Sequence, residues 1–275
     1  MKHTEWKTAI STSETGLDCL TELINCGISA IELSVSEWEY RNIDWDSLGK
    51  NAREAGIELW SYHLPFGDSV DISAEDSERR ETALAIYFSL INKACSIGIK
   101  RFVVHPSYEP IADSEREGRL ENAKESLARL AEYADALGAV ICIEDLPRSC
   151  LGHNIAELKA LASADERLRI CFDVNHLLLQ FKDTHADFVR ELGEKIATVH
   201  FSDYDFIDEK HYFCGNGYIN WDELIGLLEN AGYCGPFLFE GGFKPHRIHT
   251  EVPFGTIAEA RERHLHIREF KGKPI

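Results

Sequence analysis

The sequence predicts an α/β fold: a (β/α)8 or TIM barrel, formed as a single domain over residues 1–275. Three observations predict it. Eight short apolar runs recur along the chain, helix-period segments lie between them, and 275 residues is close to the ~250 typical of one such barrel. The runs are continuously apolar rather than alternating, as expected of strands buried on both faces of a parallel sheet. Repeated strand–helix units imply parallel βαβ connections. Eight units favour closure over an open doubly wound sheet. No Gly-rich phosphate loop follows the first run, which argues against a nucleotide-binding sheet.

The predicted strands are, in order, Lys7–Ser11, Ala30–Ser34, Ile57–His63, Arg101–His105, Val140–Glu144, Arg169–Asp173, Thr198–Ser202 and Pro236–Glu240. Helical periodicity is clearest in Ser77–Gly98, where Ala83, Ile86, Tyr87, Leu90, Ile91 and Ala94 recur at spacings of three and four. Ser114–Gly138 repeats the pattern through Leu120, Leu127, Leu130 and Tyr133. Trp221–Gly232 is a short helix feeding the last strand. Gly56, Gly98 and Gly138 each fall just before a strand, where a left-handed helix C-cap belongs. No linker, low-complexity segment or second domain is evident.

Composition narrows the function. Hydrophobic residues make up 44% of the chain, enough for a large core, and no stretch approaches the ~18 apolar residues of a membrane span. The N-terminus lacks a long apolar segment, so no signal peptide is read. The eight cysteines are scattered and form no CxxC pair. Reduced thiols in a cytoplasmic protein are the expectation. Net charge is −18, which argues against nucleic acid as the partner.

The chemistry concentrates at the ends of the runs. Glu144 closes ValIleCysIleGlu, Asp173 closes IleCysPheAsp, His200 closes AlaThrValHis and Glu240 closes PheLeuPheGlu. The C-terminal strand ends are where a (β/α)8 barrel keeps its active site. Three carboxylates and one histidine suit one divalent ion, Mn, Mg, Co or Zn. Each residue also has an ordinary reading. Glu144 could sit in a rim salt bridge, Asp173 could cap a helix with His176 merely exposed, and His200 could be a lone core histidine. Asp203 could hold the ring of a ligating His200 or be an ordinary loop aspartate. His63, His105 and His211 are further candidates. Lys244, His246, Arg247 and His249 form a basic loop on an acidic background. It is either a site for an anionic substrate group or a solvated loop.

At these residues the chain resembles the xylose isomerase-like TIM-barrel superfamily of sugar (phosphate) isomerases and epimerases, inosose and dehydroshikimate dehydratases, and endonuclease IV. The likeness runs from TyrHisLeuPro (62–65) to the closing segment GlyTyrCysGlyProPheLeuPheGlu (232–240), which is the most specific part. It implies Glu144, Asp173, His200 and Glu240 as metal ligands. It places His63, His105 and His176 on the substrate, with Lys244 and Arg247 added from the basic loop. It also implies a homo-oligomer.

The implied reaction abstracts a proton beside a carbonyl of a small sugar-like substrate and passes through a metal-stabilised enediolate. Glu144 and Glu240 exchange the proton, and His176 hydrogen-bonds the substrate. Ketose 3-epimerases carry a Glu six residues after the first ligand and an Arg six residues after the metal histidine. Here those positions hold Cys150 and Phe206, which puts a free-ketose epimerase of that type in doubt. The endonuclease branch would match His63, His105, Glu144, Asp173, His176, His200, Glu209, His211 and Glu240, with Glu209 in place of its Asp. A polynuclear zinc phosphoesterase is therefore the alternative. A barrel that keeps a metal only for stability, or senses a sugar, is a third reading.

Overall fold

The computed structural model describes residues 1–13, 20–36, 38–244 and 252–273. The strands are β1 Thr8–Ser11, β2 Ala30–Ser34, β3 Glu58–His63, β4 Arg101–Val104, β5 Val140–Glu144, β6 Arg169–Asp173, β7 Ile196–Phe201 and β8 Phe237–Phe239. They pair in sequence order, all parallel, and β8 closes on β1. The helices are α1 Leu20–Asn25, α2 Trp45–Ala55, α3 Ser77–Ser96, α4 Asp113–Ala136, α5 Ile155–Ala162, α6 His185–Leu192, α7 Trp221–Asn230 and α8 Ile257–His266. The predicted (β/α)8 barrel is the observed fold.

Local chemistry sets the helix limits. Asp76 caps α3, its carboxylate accepting from the amides of Glu78 and Arg79. Gly56 ends α2 at φ 71°, a left-handed conformation that glycine adopts without strain. Gly98 and Gly138 also carry positive φ, as predicted. No helix among the described residues is long and apolar enough to cross a membrane. The described cysteines are all free thiols, four of them buried.

Two apolar layers fill the barrel. The outer one, between strands and helices, holds Ile10, Ile31, Tyr62, Phe102, Ile141 and Phe172, all fully buried or nearly so. The lumen is filled by smaller clusters: Ala9, Ala30 and Leu238 with Trp60, and Val103, Cys142 and Cys171 with Val140 and Ala197. Trp60 reaches the lumen through a bulge. Leu59 pairs with Ile31 and Ser61 with Glu32, so Trp60 is an extra residue in β3. Its indole N–H crosses the barrel to Thr198 Oγ1 at 3.1 Å.

The lumen cluster explains the site above it. Side chains of a strand return to the same face every second residue. Two residues beyond Ala30, Val103, Cys142, Cys171, Thr198 and Leu238 stand Glu32, His105, Glu144, Asp173, His200 and Glu240. The apolar floor thus dictates that a ring of ionisable groups faces the barrel axis at the C-terminal mouth.

Candidate metal centre

Ligand atoms of Glu144, Asp173, His200 and Glu240 lie within 4.8 Å of one another. His200 stands at the middle of the group. Its Nδ1 is 3.0 Å from Glu144 Oε1 and approaches Glu240 Oε2 to 2.8 Å. The Glu240 contact lacks hydrogen-bond geometry, and Glu240 Oε2 and Asp173 Oδ2 are buried oxygens without a hydrogen-bond partner. Buried carboxylate oxygens left this way are costly unless a cation meets them. Together with an imidazole nitrogen they form the donor set a hard or borderline divalent ion takes. The residues fit such an ion.

The electrostatics agree. Burial alone would raise the Glu144 carboxyl, but His200, His105 and His63 together hold it well below its ordinary range. Burial likewise opposes ionisation of Glu240, and His200 overrides it, bringing the carboxyl to about 2. Asp173 goes the other way. Burial dominates there, and its carboxyl is pushed up to about 7 despite the charge of His176. Burial disfavours the His200 imidazolium, yet Cys171, Glu240, Glu32 and Glu144 hold its pKa well above the usual value.

Two further groups flank the first. His63 Nε2 and His105 Nε2 each lie 3.0 Å from Glu144 Oε2. Burial keeps His105 below its ordinary pKa, whereas Glu144 outweighs burial at His63 and raises it to about 9. Phe66 stacks on His105 at 4.3 Å and is 47% exposed, an aromatic lip at the mouth. On the other side His176, Glu209 and His211 gather their donor atoms within the same 4.8 Å span. Glu209 Oε1 accepts from His211 Nε2 at 2.7 Å, while its Oε2 meets Arg148 at 2.9 Å.

Three of these histidines share one device. His63 Nδ1 donates to Leu64 O at 2.9 Å, His176 Nδ1 to Asp145 O at 2.7 Å, and His211 Nδ1 to Glu240 O at 2.9 Å. A carbonyl only accepts, so each Nδ1 carries a proton and each Nε2 is turned toward carboxylates.

The loop after β7 brings Glu209 and His211 into place. Asp203 organises it rather than touching His200. Its carboxylate accepts from the amides of Tyr204 (2.9 Å), Gly215 (2.9 Å) and Ile219 (3.1 Å) and from the Trp221 indole (2.8 Å). Of its two readings, the loop aspartate is the one observed. Nε2 of His200 instead lies 3.1 Å from Glu32, a residue not singled out from the sequence. Glu32 lies mid-strand in AlaIleGluLeuSer, and a charged residue inside an apolar run was the signal for it. Lys244 stands exposed and donates to Ser13 O at 3.5 Å. Arg247, like His246 and His249, lies outside the described residues. Cys150 is buried, and Phe206 packs on Tyr204 and His185.

Fold and site together define a (β/α)8 barrel with a carboxylate–histidine centre at its C-terminal mouth. The profile of the family described as xylose isomerase-like TIM barrel matches residues 20–263, and the chain belongs to that family. An uncharacterized protein of Methanocaldococcus jannaschii is 30% identical over 65% of this chain, which spans 62% of that protein. The L-ribulose-5-phosphate 3-epimerase UlaE of Salmonella typhi is 25% identical over 94% of this chain and 91% of its own length. Among solved structures, a D-tagatose 3-epimerase-like protein superposes with a TM-score of 0.80 at 23% identity, covering 96% of this chain and 98% of that one. A 3-keto-D-glucoside 4-epimerase from E. coli does so at 0.73 and 19%, covering 96% and 99%. At those identities the structural likeness speaks for the fold.

Proposed function

We propose that the chain is a divalent-metal-dependent epimerase or isomerase of a ketose or ketose phosphate. One observation carries the reading: Glu144 and Glu240 approach the same nitrogen of His200 from different strands, at 3.0 and 2.8 Å, and so flank one buried point. When bound there by Glu144, Asp173, His200 and Glu240, a divalent ion supplies Lewis-acid stabilisation of negative charge developing on substrate oxygens. Glu144 and Glu240 form the acid–base pair. One takes the proton from the carbon beside the carbonyl and the other returns it. His176, with Nδ1 committed to the Asp145 carbonyl, offers Nε2 to a substrate oxygen. Loss of a neighbouring hydroxide after the same first step would make the chain a dehydratase.

The epimerase relative that matches nearly the whole chain supports a ketose phosphate. Lys244 and Arg247 are the residues proposed to meet an anionic group. The same reading carries a cytoplasmic homo-oligomer, which sedimentation of the purified protein tests. Turnover of L-ribulose 5-phosphate, free ketoses, inososes and dehydroshikimate by the manganese-loaded protein tests the main proposal. Turnover of a ketose or its phosphate that depends on Glu144 supports it, and an inert protein across the whole panel sinks it.

A second reading has its own observation. The groups at His63–His105–Glu144 and at His176–Glu209–His211 flank the central set, and three of their histidines have Nδ1 committed to backbone. This is the donor set of a polynuclear zinc phosphoesterase. His63→Ala and His105→Ala variants that retain full metal content exclude it.

A further inference from the structure

Glu32 is a fully buried carboxylate on β2. Among the described residues its polar partners are Ser61, whose Oγ donates to Oε2 at 2.7 Å, and His200, whose Nε2 lies 3.1 Å from each carboxylate oxygen, with Oε1 left without a hydrogen bond. Such a group, without a lysine or arginine beside it, is expensive to keep in a barrel. An apolar residue would fill the position at less cost, so the carboxylate has a task that a hydrophobe does not perform.

The geometry identifies the task. A carboxylate only accepts, so the Nε2 of His200 must carry a proton to bond it. Nδ1 also faces carboxylates, those of Glu144 and Glu240, so the metal-free ring carries a proton on each nitrogen; an ion held by those two carboxylates would take the place of the Nδ1 proton and leave Nε2–H bonded to Glu32. In the opposite tautomer, an Nε2 lone pair would face the Glu32 carboxylate. Glu32 itself is held in place. Parallel pairing sets Ser61 opposite it across the β2–β3 ladder, and the bulge at Trp60 turns Ser61 to the lumen. On the β3 side the His63 ring lies near-parallel to that of His200, with centroids 5.8 Å apart.

Resting on the metal reading above, we propose that Glu32 is a positioning residue for the metal: it locks His200 in the Nε2–H tautomer and orients Nδ1 as the ligand atom, with Ser61 as its anchor. It touches neither substrate nor ion.

The test uses the full chain stripped with chelator and titrated calorimetrically with Mn2+ and with Zn2+. Glu32→Ala should weaken binding ~10–100-fold. Glu32→Gln keeps an acceptor oxygen and should recover most of the affinity, and Ser61→Ala should lose less than Glu32→Ala. In the zinc-loaded wild type, a downfield Nε2–H proton resonance of His200 should appear and should be lost in Glu32→Ala. A purely structural Glu32 would lower thermal stability and leave both the dissociation constant and that resonance unmoved. Wild-type affinity in Glu32→Ala overturns the inference alone. No binding of either ion by the wild type overturns the metal reading and this inference with it.

Discussion

Oε1 of Glu144 lies 3.0 Å from Nδ1 of His200, although 56 residues separate them and their strands, β5 and β7, are not neighbours in the barrel. Barrel closure and the two-residue period of each strand produce this contact. Glu144 therefore reaches His200 from one side while its second oxygen serves His63 and His105. Substitutions here should act on chemistry before they act on folding.

Glu144→Gln and Glu240→Gln should each lower turnover by about 10²–10⁴-fold, the range for loss of a general acid or base. Steady-state kinetics with saturating Mn2+ checks this. Unchanged turnover in either variant would remove that residue from the acid–base pair.

Asp173→Asn should act on metal affinity first. It replaces a carboxylate, one of whose buried oxygens has no hydrogen-bond partner, by an uncharged group within the donor set. Chelation of the wild type should lower the melting temperature. Restoring the ion to ~100 times its dissociation constant should return about 2.7 kcal/mol of stability by mass action. Differential scanning calorimetry at fixed protein concentration measures both, and an unshifted melting curve speaks against a site that binds only the folded chain.

The opposite side of the molecule supplies a pH dependence free of the metal. His264, fully buried, bonds Thr8 Oγ1 through Nδ1 and donates from Nε2 to the His3 carbonyl. Burial lowers its pKa from 6.5 to about 4. Between those values the unfolded chain holds the proton and the folded one does not, so this contribution to stability is complete above pH 6.5 and is lost as pH falls toward 4. The loss at pH 5 is roughly 2 kcal/mol. Denaturant titrations at pH 7 and pH 5 should show a smaller difference in His264→Gln by about that amount.

Asp203→Ala should cost about 3 kcal/mol or more, because it strands the Trp221 indole and three backbone amides in the loop that carries Glu209 and His211. Gly217→Ala should also destabilise. A methyl there would collide with Asp203 Oδ1 and the Tyr204 carbonyl. Chemical denaturation of both variants tests the claim, and wild-type stability in Asp203→Ala would show that the loop has other supports.

The barrel was legible because apolar runs and strand ends are local signals. β2, β5 and β6 have the limits read from the sequence, and β7 starts two residues earlier at Ile196. The four proposed ligands were legible for the same reason, each closing such a run. Glu32 was not, because attention to strand ends misses an inward residue in mid-strand, where only the period of two and the bulge at Trp60 reveal its neighbours. Glu209 was named only through resemblance, and His211 from the sequence only as one of three further histidines. Their placement depends on the Asp203 bonds reaching as far as Trp221, which no local pattern announces.

The most direct measurement is proton NMR of L-ribulose 5-phosphate in D2O with the manganese-loaded protein, freed of excess Mn2+ and removed before the spectra are taken. The account predicts deuterium uptake at the carbon beside the carbonyl, at least ~100-fold slower with Glu240→Gln and abolished by chelation. No uptake from this or any other ketose or ketose phosphate, together with phosphoester hydrolysis by the zinc-loaded protein, would contradict it.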